Sequence, residues 1–162
     1  MGDIKVAVLM GSKNDLTIME DTIKTLKEFG VGYEAKVLSA HRTPKETVDY
    51  AEKLKNRGVK VVICGAGASA ALAGTVAAHT DLPVFGVPID ATCFHGWDAL
   101  LSTVQMPPGV PVAALGVGKM GAKNAALMAL RILALQDVKI ADKLGVFKEE
   151  QRKSILDTQI DL

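Results

Sequence analysis

Short apolar runs alternate along the chain with stretches whose apolar residues recur at helical spacing. The run Ile-Lys-Val-Ala-Val-Leu-Met (4–10) predicts a buried strand, and Gly-Ser-Lys-Asn-Asp breaks it. Over 15–29, Leu16, Met19, Ile23, Leu26 and Phe29 share a helical face, and Gly30 ends the pattern. Residues 33–38 predict a second strand. A second helix follows, with Thr43 as N-cap, Pro44 as its first residue and Gly58 at its end. Further strands are predicted at 60–67, 83–89 and 111–118, and further helices at 68–79, 96–106 and 121–136.

Five strand–helix units in alternation predict an α/β fold whose parallel sheet is covered on both faces. With this number of strands the expected form is a flavodoxin-like three-layer αβα sandwich with a five-stranded parallel sheet. One domain is expected over 1–162, with its core at 4–136 and a C-terminal helical tail at 137–162. Helix 121–136 is apolar on nearly every face, Arg131 carrying its only charge after Lys123. Such a helix is expected to be buried all round. The small-residue helix 68–79 would let a neighbouring backbone approach. The tail sets Val138, Ile140, Leu144, Phe147, Ile155 and Leu156 among charges. Together these predict a homo-oligomer.

Composition narrows the functional classes. Apolar residues make up 49% and charged residues 23%, the balance of a soluble globular protein. Aromatics at 4% leave little for a base-stacking platform, and a net charge of +1 argues against nucleic acid or an anionic membrane as partner. No segment approaches the apolar length of a membrane span, and the N-terminus lacks the pattern of a signal peptide. Cys64 and Cys93 match no metal or redox spacing and read as buried, reduced thiols of a cytoplasmic protein.

Ligands of open parallel sheets bind beyond the carboxyl ends of the strands, where strand order reverses. In a flavodoxin-like order four loops face that crevice: 11–15, 39–43, 65–69 and 88–96. In the first, the backbone and Ser12 can hold a phosphate at a helix start while Asp15 accepts from sugar hydroxyls. Equally, Ser12 and Asp15 have the spacing of a capping box with Asp in place of Glu. The second loop gathers Ser39, His41 and Arg42. Arg42 offers a fork of donors that matches a phosphate, and histidine is the side chain suited to carrying protons near neutral pH. The third, Gly65-Ala-Gly67-Ala-Ser-Ala70, fits G-x-G-x-x-A, but it follows the third strand and lacks the acidic ribose contact. It reads better as a glycine wall against a flat ligand. His79 reads as a solvated or capping residue. His95 suits either loop structure or a pocket wall. No cluster has metal-ligand spacing, and no metal or cofactor is expected. A phospho-receiver domain shares this fold class but needs an aspartate after the third strand, where this chain has Ile-Cys-Gly-Ala-Gly.

The chain resembles the PurE family of purine biosynthesis through MGSKND (10–15), SAHRTP (39–44), GAGASAALAG (65–74), GVPI (86–89), STVQMPPGVPV (102–112) and NAALMALRIL (124–133). The resemblance implies a flavodoxin-like enzyme acting on aminoimidazole ribonucleotides, assembled as an octamer with sites at subunit junctions. It implies His41 as the catalytic histidine, and Ser12, Asp15 and Arg42 as substrate-binding residues. Asn14 and Ser39 add phosphate or ribose contacts, and Gly67, Ala68, Ser69 and Gly74 complete the wall. One branch of the family moves a carboxylate from the exocyclic nitrogen of N5-carboxyaminoimidazole ribonucleotide to ring carbon C4, with CO2 as intermediate. The other carboxylates aminoimidazole ribonucleotide directly. Arg42 and QMPPGVPV resemble the mutase branch, since the carboxylase branch typically has lysine at the Arg42 position. The third loop departs from it: Ala71 stands where a histidine is expected, Ala73 replaces a proline, and Ser69 matches a serine of the carboxylase branch. The expected activity is the mutase; the alternatives are the carboxylase or a silent nucleotide-binding relative.

Overall fold

The computed structural model describes residues 3–160, so both ends of the expected 1–162 domain and the last two residues of its tail lie outside the described residues. Five parallel strands form one sheet in the order β2-β1-β3-β4-β5: β1 Val6–Met10, β2 Tyr33–Val37, β3 Val61–Gly67, β4 Val84–Ile89 and β5 Ala113–Ala114. Order reverses between β1 and β3, which pair from Val6↔Val61 to Met10↔Gly65. This is the flavodoxin-like topology.

The unbroken apolar runs of β1 and β3 follow from burial on both faces. Alternate side chains part to opposite layers. Val6, Val8, Met10, Val61 and Ile63 pack with α1 (Leu16–Phe29) and α5 (Lys119–Ala134). Ala7, Leu9, Val62 and Cys64 pack with α2 (Pro44–Lys53) and α3 (Leu72–Ala77). The last two helices are α4 (Trp97–Val104) and α6 (Val138–Leu156). Single-turn 3-10 segments lie at Lys13–Asp15 and Lys55–Arg57. Gly30 and Gly58 stop their helical segments in the left-handed region at φ 72° and 85°, where glycine carries no Cβ penalty.

Three element expectations need correction. The helix expected over 68–79 is only Leu72–Ala77, because Ala68 and Ala70 take positive φ and hold 68–71 as a loop. The strand expected over 111–118 shrinks to Ala113–Ala114. Pro111 has no N–H to give a ladder, and Gly118 turns away at φ 73°. The chain still follows β4 through Leu115 N–H to the Gly86 carbonyl (2.8 Å) and Gly118 N–H to the Pro88 carbonyl (2.9 Å). Helix α5 is not buried all round within one chain. Gly121, Ala122, Ala125, Ala126, Ala129 and Leu130 are buried, whereas Met120 is 78% exposed.

Asp137 caps α6 by accepting from the N–H groups of Lys139 and Ile140. The first half of the tail returns to its own chain. Ile140, Leu144 and Phe147 join the α1–α5 core, Phe147 meets Phe29 edge-on at 5.8 Å, and Lys143 Nζ donates to the Phe29 carbonyl at 2.8 Å. From Lys148 to Ile160 every residue is exposed. Among the described residues no helix is long and apolar enough to cross a membrane. Cys64 is buried, and burial pushes its thiol pKa up; Cys93, also expected to be buried, is exposed on the loop after β4.

Candidate active site

The first two loops are fastened to each other at the carboxyl edge of the sheet. Arg42 Nη2 donates to the Gly11 carbonyl at 2.6 Å, and Arg42 Nε donates to Ser39 Oγ at 3.3 Å. Two of the five guanidinium protons are thereby committed, and three remain for an anion. Ser39 Oγ also accepts the Arg42 backbone N–H at 3.3 Å, so its own hydroxyl proton is free to point outward. Thr43 holds the turn. Its Oγ1 accepts Ser39 N–H at 2.9 Å, and its N–H donates to the Ser39 carbonyl at 2.8 Å. The residue expected as a helix cap therefore spends its hydroxyl on the loop rather than on α2. His41 stands exposed at the apex of this turn.

In the first loop Ser12 N–H donates to Asp15 Oδ2 at 2.8 Å, the carboxylate arm of a capping box around Lys13–Asp15. The capping reading of the Ser12–Asp15 spacing is thus realised. Asp15 is 7% exposed, whereas Asn14 and Lys13 are exposed at the rim. Gly11 N–H donates to the Gly65 carbonyl at 3.2 Å, tying the first loop to β3.

The other two loops are built differently. Ala68, Ala70 and His95 take φ of 54°, 38° and 52°, the non-glycine positive values among the described residues. All three lie beyond the ends of β3 and β4. A left-handed non-glycine residue costs about 1–2 kcal/mol, and such strain gathers at functional edges. A Cβ on Gly67 would lie 2.6 Å from Ala91 Cβ, and one on Gly74 would lie 3.1 Å from Met106 Sδ. These glycines thus have a packing reason for being small, quite apart from any ligand. Ala68 and Ser69 are exposed at the crevice. Ala71, at the head of α3, brings no side-chain donor. Beyond β4, Thr92 Oγ1 donates to Asp98 Oδ2 at 2.6 Å and Ala99 N–H donates to Asp98 Oδ1 at 2.9 Å. The Thr92 hydroxyl, then backbone N–H donors, hold the Asp98 carboxyl below its ordinary pKa. His95 Nδ1 lies 3.8 Å from Asp90 Oδ2. His79, expected to be a helix-end residue, pairs with Glu52 at 3.4 Å away from the crevice.

Two clefts of the single chain lie elsewhere, one at the opposite edge of the sheet and one between α5 and α6. Among the described residues no group of His, Cys, Asp and Glu could hold a metal ion. The role of Thr43 and the strained alanines were not read from the sequence. Threonine two residues after a loop histidine carries no distinct signal, and alanine advertises no left-handed backbone.

A five-stranded parallel sheet whose order reverses between β1 and β3, with Ser39, His41 and Arg42 on the loop beyond β2, defines a flavodoxin-like domain. Within that class the family is shown directly. Residues 5–154 match the family model described as AIR carboxylase, and the chain belongs to that family, the PurE family. A Saccharolobus solfataricus protein named N5-carboxyaminoimidazole ribonucleotide mutase is 52% identical over 157 residues, covering 97% of this chain and 98% of the relative. A Bacillus subtilis protein of the same name is 46% identical over 157 residues, covering 97% of both chains. The crystal structure of Treponema denticola PurE superposes with a TM-score of 0.84 at 32% identity, covering 94% of each chain.

Proposed function

We propose that this chain interconverts N5-carboxyaminoimidazole ribonucleotide and 4-carboxyaminoimidazole ribonucleotide in purine biosynthesis, as an N5-carboxyaminoimidazole ribonucleotide mutase. The observation that carries the reading is the Arg42 fork, which joins the loops of Ser12 and Ser39 and leaves donors free beside an exposed His41. The names of relatives that span nearly the whole chain support it.

In this reading Arg42, Ser39 and Ser12 take the substrate phosphate, and Asp15 and Asn14 take ribose hydroxyls. Gly67, Ala68, Ser69 and Gly74 face the imidazole and the CO2. Protonated His41 delivers its proton to the exocyclic nitrogen as the N–C bond of the carbamate breaks, giving amine and CO2. The electron-rich C4 attacks CO2 to form the new C–C bond. Neutral His41 then removes the C4 proton, which restores aromaticity and the starting protonation state. One imidazole serves both directions because histidine titrates near neutral pH. Retained CO2 beside C4 gains effective concentration over CO2 in solution.

A lone chain leaves this crevice open. Phe94, Trp97, Leu101 and Val104 form an exposed apolar stripe from the fourth loop along α4, at 63%, 66%, 53% and 48% exposure. That stripe, with Met120, supports a homo-oligomer whose neighbouring copies close the crevice; the octameric size and the cytoplasmic location follow from the family resemblance. One observation speaks for direct carboxylation of aminoimidazole ribonucleotide instead: Ser69 and Ala71 leave the third loop without the histidine the resemblance expects. Turnover separates the readings. Fresh N5-carboxyaminoimidazole ribonucleotide should be converted faster than it decays to amine and CO2. Efficient use only of the amine with bicarbonate would place the chain in the carboxylase branch. Binding without turnover of either would make it a silent relative.

A further inference from the structure

Lys13 breaks a local rule. The single 3-10 turn Lys13–Asp15, with Ser12 as its N-cap, runs straight into α1, so Lys13 is the first residue of a helical segment that continues to Phe29. Unpaired backbone N–H groups make that end positive, which favours an acid and disfavours a cation. Lys13 is nonetheless exposed there, and among the described residues it forms no ion pair. The acid nearest in the chain, Asp15, is buried and accepts Ser12 N–H at 2.8 Å. Arg42 brings a second cation to the same turn, donating to the Gly11 carbonyl at 2.6 Å. Stability alone would not set a lysine at this place, and departures of this kind gather at functional positions.

We propose that Lys13 is a further binding residue for the phosphate of the substrate ribonucleotide, and that it sets the preference for the phosphorylated over the unphosphorylated ligand. The four crevice loops, 11–15, 39–43, 65–69 and 88–96, hold one lysine and one arginine between them, Lys13 and Arg42. A phosphate monoester carries about two negative charges at neutral pH, and Arg42 answers one of them. Lys13 answers the other. Its Cα lies within about 8 Å of the Gly11 Cα whatever the shape of the turn. Its ammonium rides on a flexible four-carbon stem, which lets it reach an anion held by the Arg42 fork. The proposal rests on the ribonucleotide reading of the crevice, but not on the choice between mutase and carboxylase, since both act on a ribonucleotide.

Calorimetric binding of aminoimidazole ribonucleotide, and of the riboside that lacks its phosphate, tests it. Lys13→Gln should weaken ribonucleotide binding about 3–10-fold at low ionic strength and leave riboside binding unchanged. The deficit should shrink in about 0.5 M salt, because an exposed charge pair is screened. Lys13→Arg should keep most of the affinity, and Lys13→Glu should lose more than Lys13→Gln. The Lys13→Gln protein should also melt about 1–3 °C higher, since a cation has left the positive end of the helix. Weaker, phosphate-selective binding in a more stable protein is a signature that a merely structural lysine would not give. Unchanged ribonucleotide binding in Lys13→Gln, while the parent still prefers the ribonucleotide, overturns the assignment of Lys13 alone. An equal loss for ribonucleotide and riboside, or a lower Tm, overturns it as well. A parent that does not distinguish the two ligands overturns the phosphate role of Arg42 together with that of Lys13.

Discussion

The two halves of the crevice are built on opposite principles. The half beyond β1 and β2 is fastened: Arg42, Ser39, Thr43, Gly11, Ser12 and Asp15 satisfy one another at 2.6–3.3 Å. The half beyond β3 and β4 is strained, and holds Ala68, Ala70 and His95 at positive φ. In the fastened half, hydrogen bonds within the chain set donors in place before any ligand arrives, which lowers the ordering cost of binding an anion. In the strained half, shape is imposed by packing, with Gly67 against Ala91 and Gly74 against Met106. The first half suits recognition of a fixed charged group. The second suits enclosure of a small uncharged one.

Substitutions in each half should differ in kind. The largest effect belongs to His41→Asn. Loss of a general acid–base group costs about 10²–10⁴-fold in turnover, and nucleotide binding measured by calorimetry should persist. Turnover near the parent's would remove His41 from the chemistry. Arg42→Ala comes next, with the loss of charge-assisted bonds worth about 1.5–3 kcal/mol. That is roughly 10–100-fold in KM with a smaller change in kcat. Arg42→Lys should not restore it, because one ammonium cannot reach the Gly11 carbonyl and Ser39 Oγ in the planar fork geometry. A pure kcat loss would contradict the anion role.

Two further substitutions should move stability in opposite directions. Thr43→Val removes the hydroxyl that holds Ser39 and should lower unfolding free energy by about 1–2 kcal/mol in a urea titration. Ala70→Gly relieves a left-handed alanine at the cost of added chain entropy. It should raise stability by about 0.5–1 kcal/mol while loosening the strained half. If both destabilise alike, the contrast between a fastened and a strained half is wrong. The smallest effect concerns Asp98. Its pKa is lowered in the fold, so its contribution is present above the ordinary aspartate value of about 3.9 and fades as pH falls below that through the lowered value. Asp98→Asn should flatten this acid limb in a series of Tm measurements against pH.

The sequence makes the fastened half legible and the strained half opaque. Runs such as Val6–Met10 and Val61–Cys64 announce buried parallel strands, and the flavodoxin-like order expected for five such units is the one whose reversal between β1 and β3 is observed. The Ser12–Asp15 spacing announces a cap, and the cap is formed. The alanine-rich stretch after Gly67 misleads, because helix propensity over 68–71 is overridden where Ala68 and Ala70 take positive φ, just beyond the close approach of Gly67 to Ala91. The fifth strand is overstated for a similar reason: apolar composition signals burial, but Pro111 and Gly118 limit the ladder that burial would support. Helix α5 was legible as apolar, yet one chain covers only part of it.

The central claim is that CO2 released from the carbamate stays beside C4 until His41 completes the transfer. The direct measurement uses N5-carboxyaminoimidazole ribonucleotide labelled with carbon-13 in its carbamate, converted in unlabelled bicarbonate buffer and followed by carbon NMR of the product carboxylate. Label retained in the C4 carboxylate well above the bath's isotopic fraction is the predicted result. Product carrying only the bath's fraction would mean that CO2 escapes before capture, and would contradict the account.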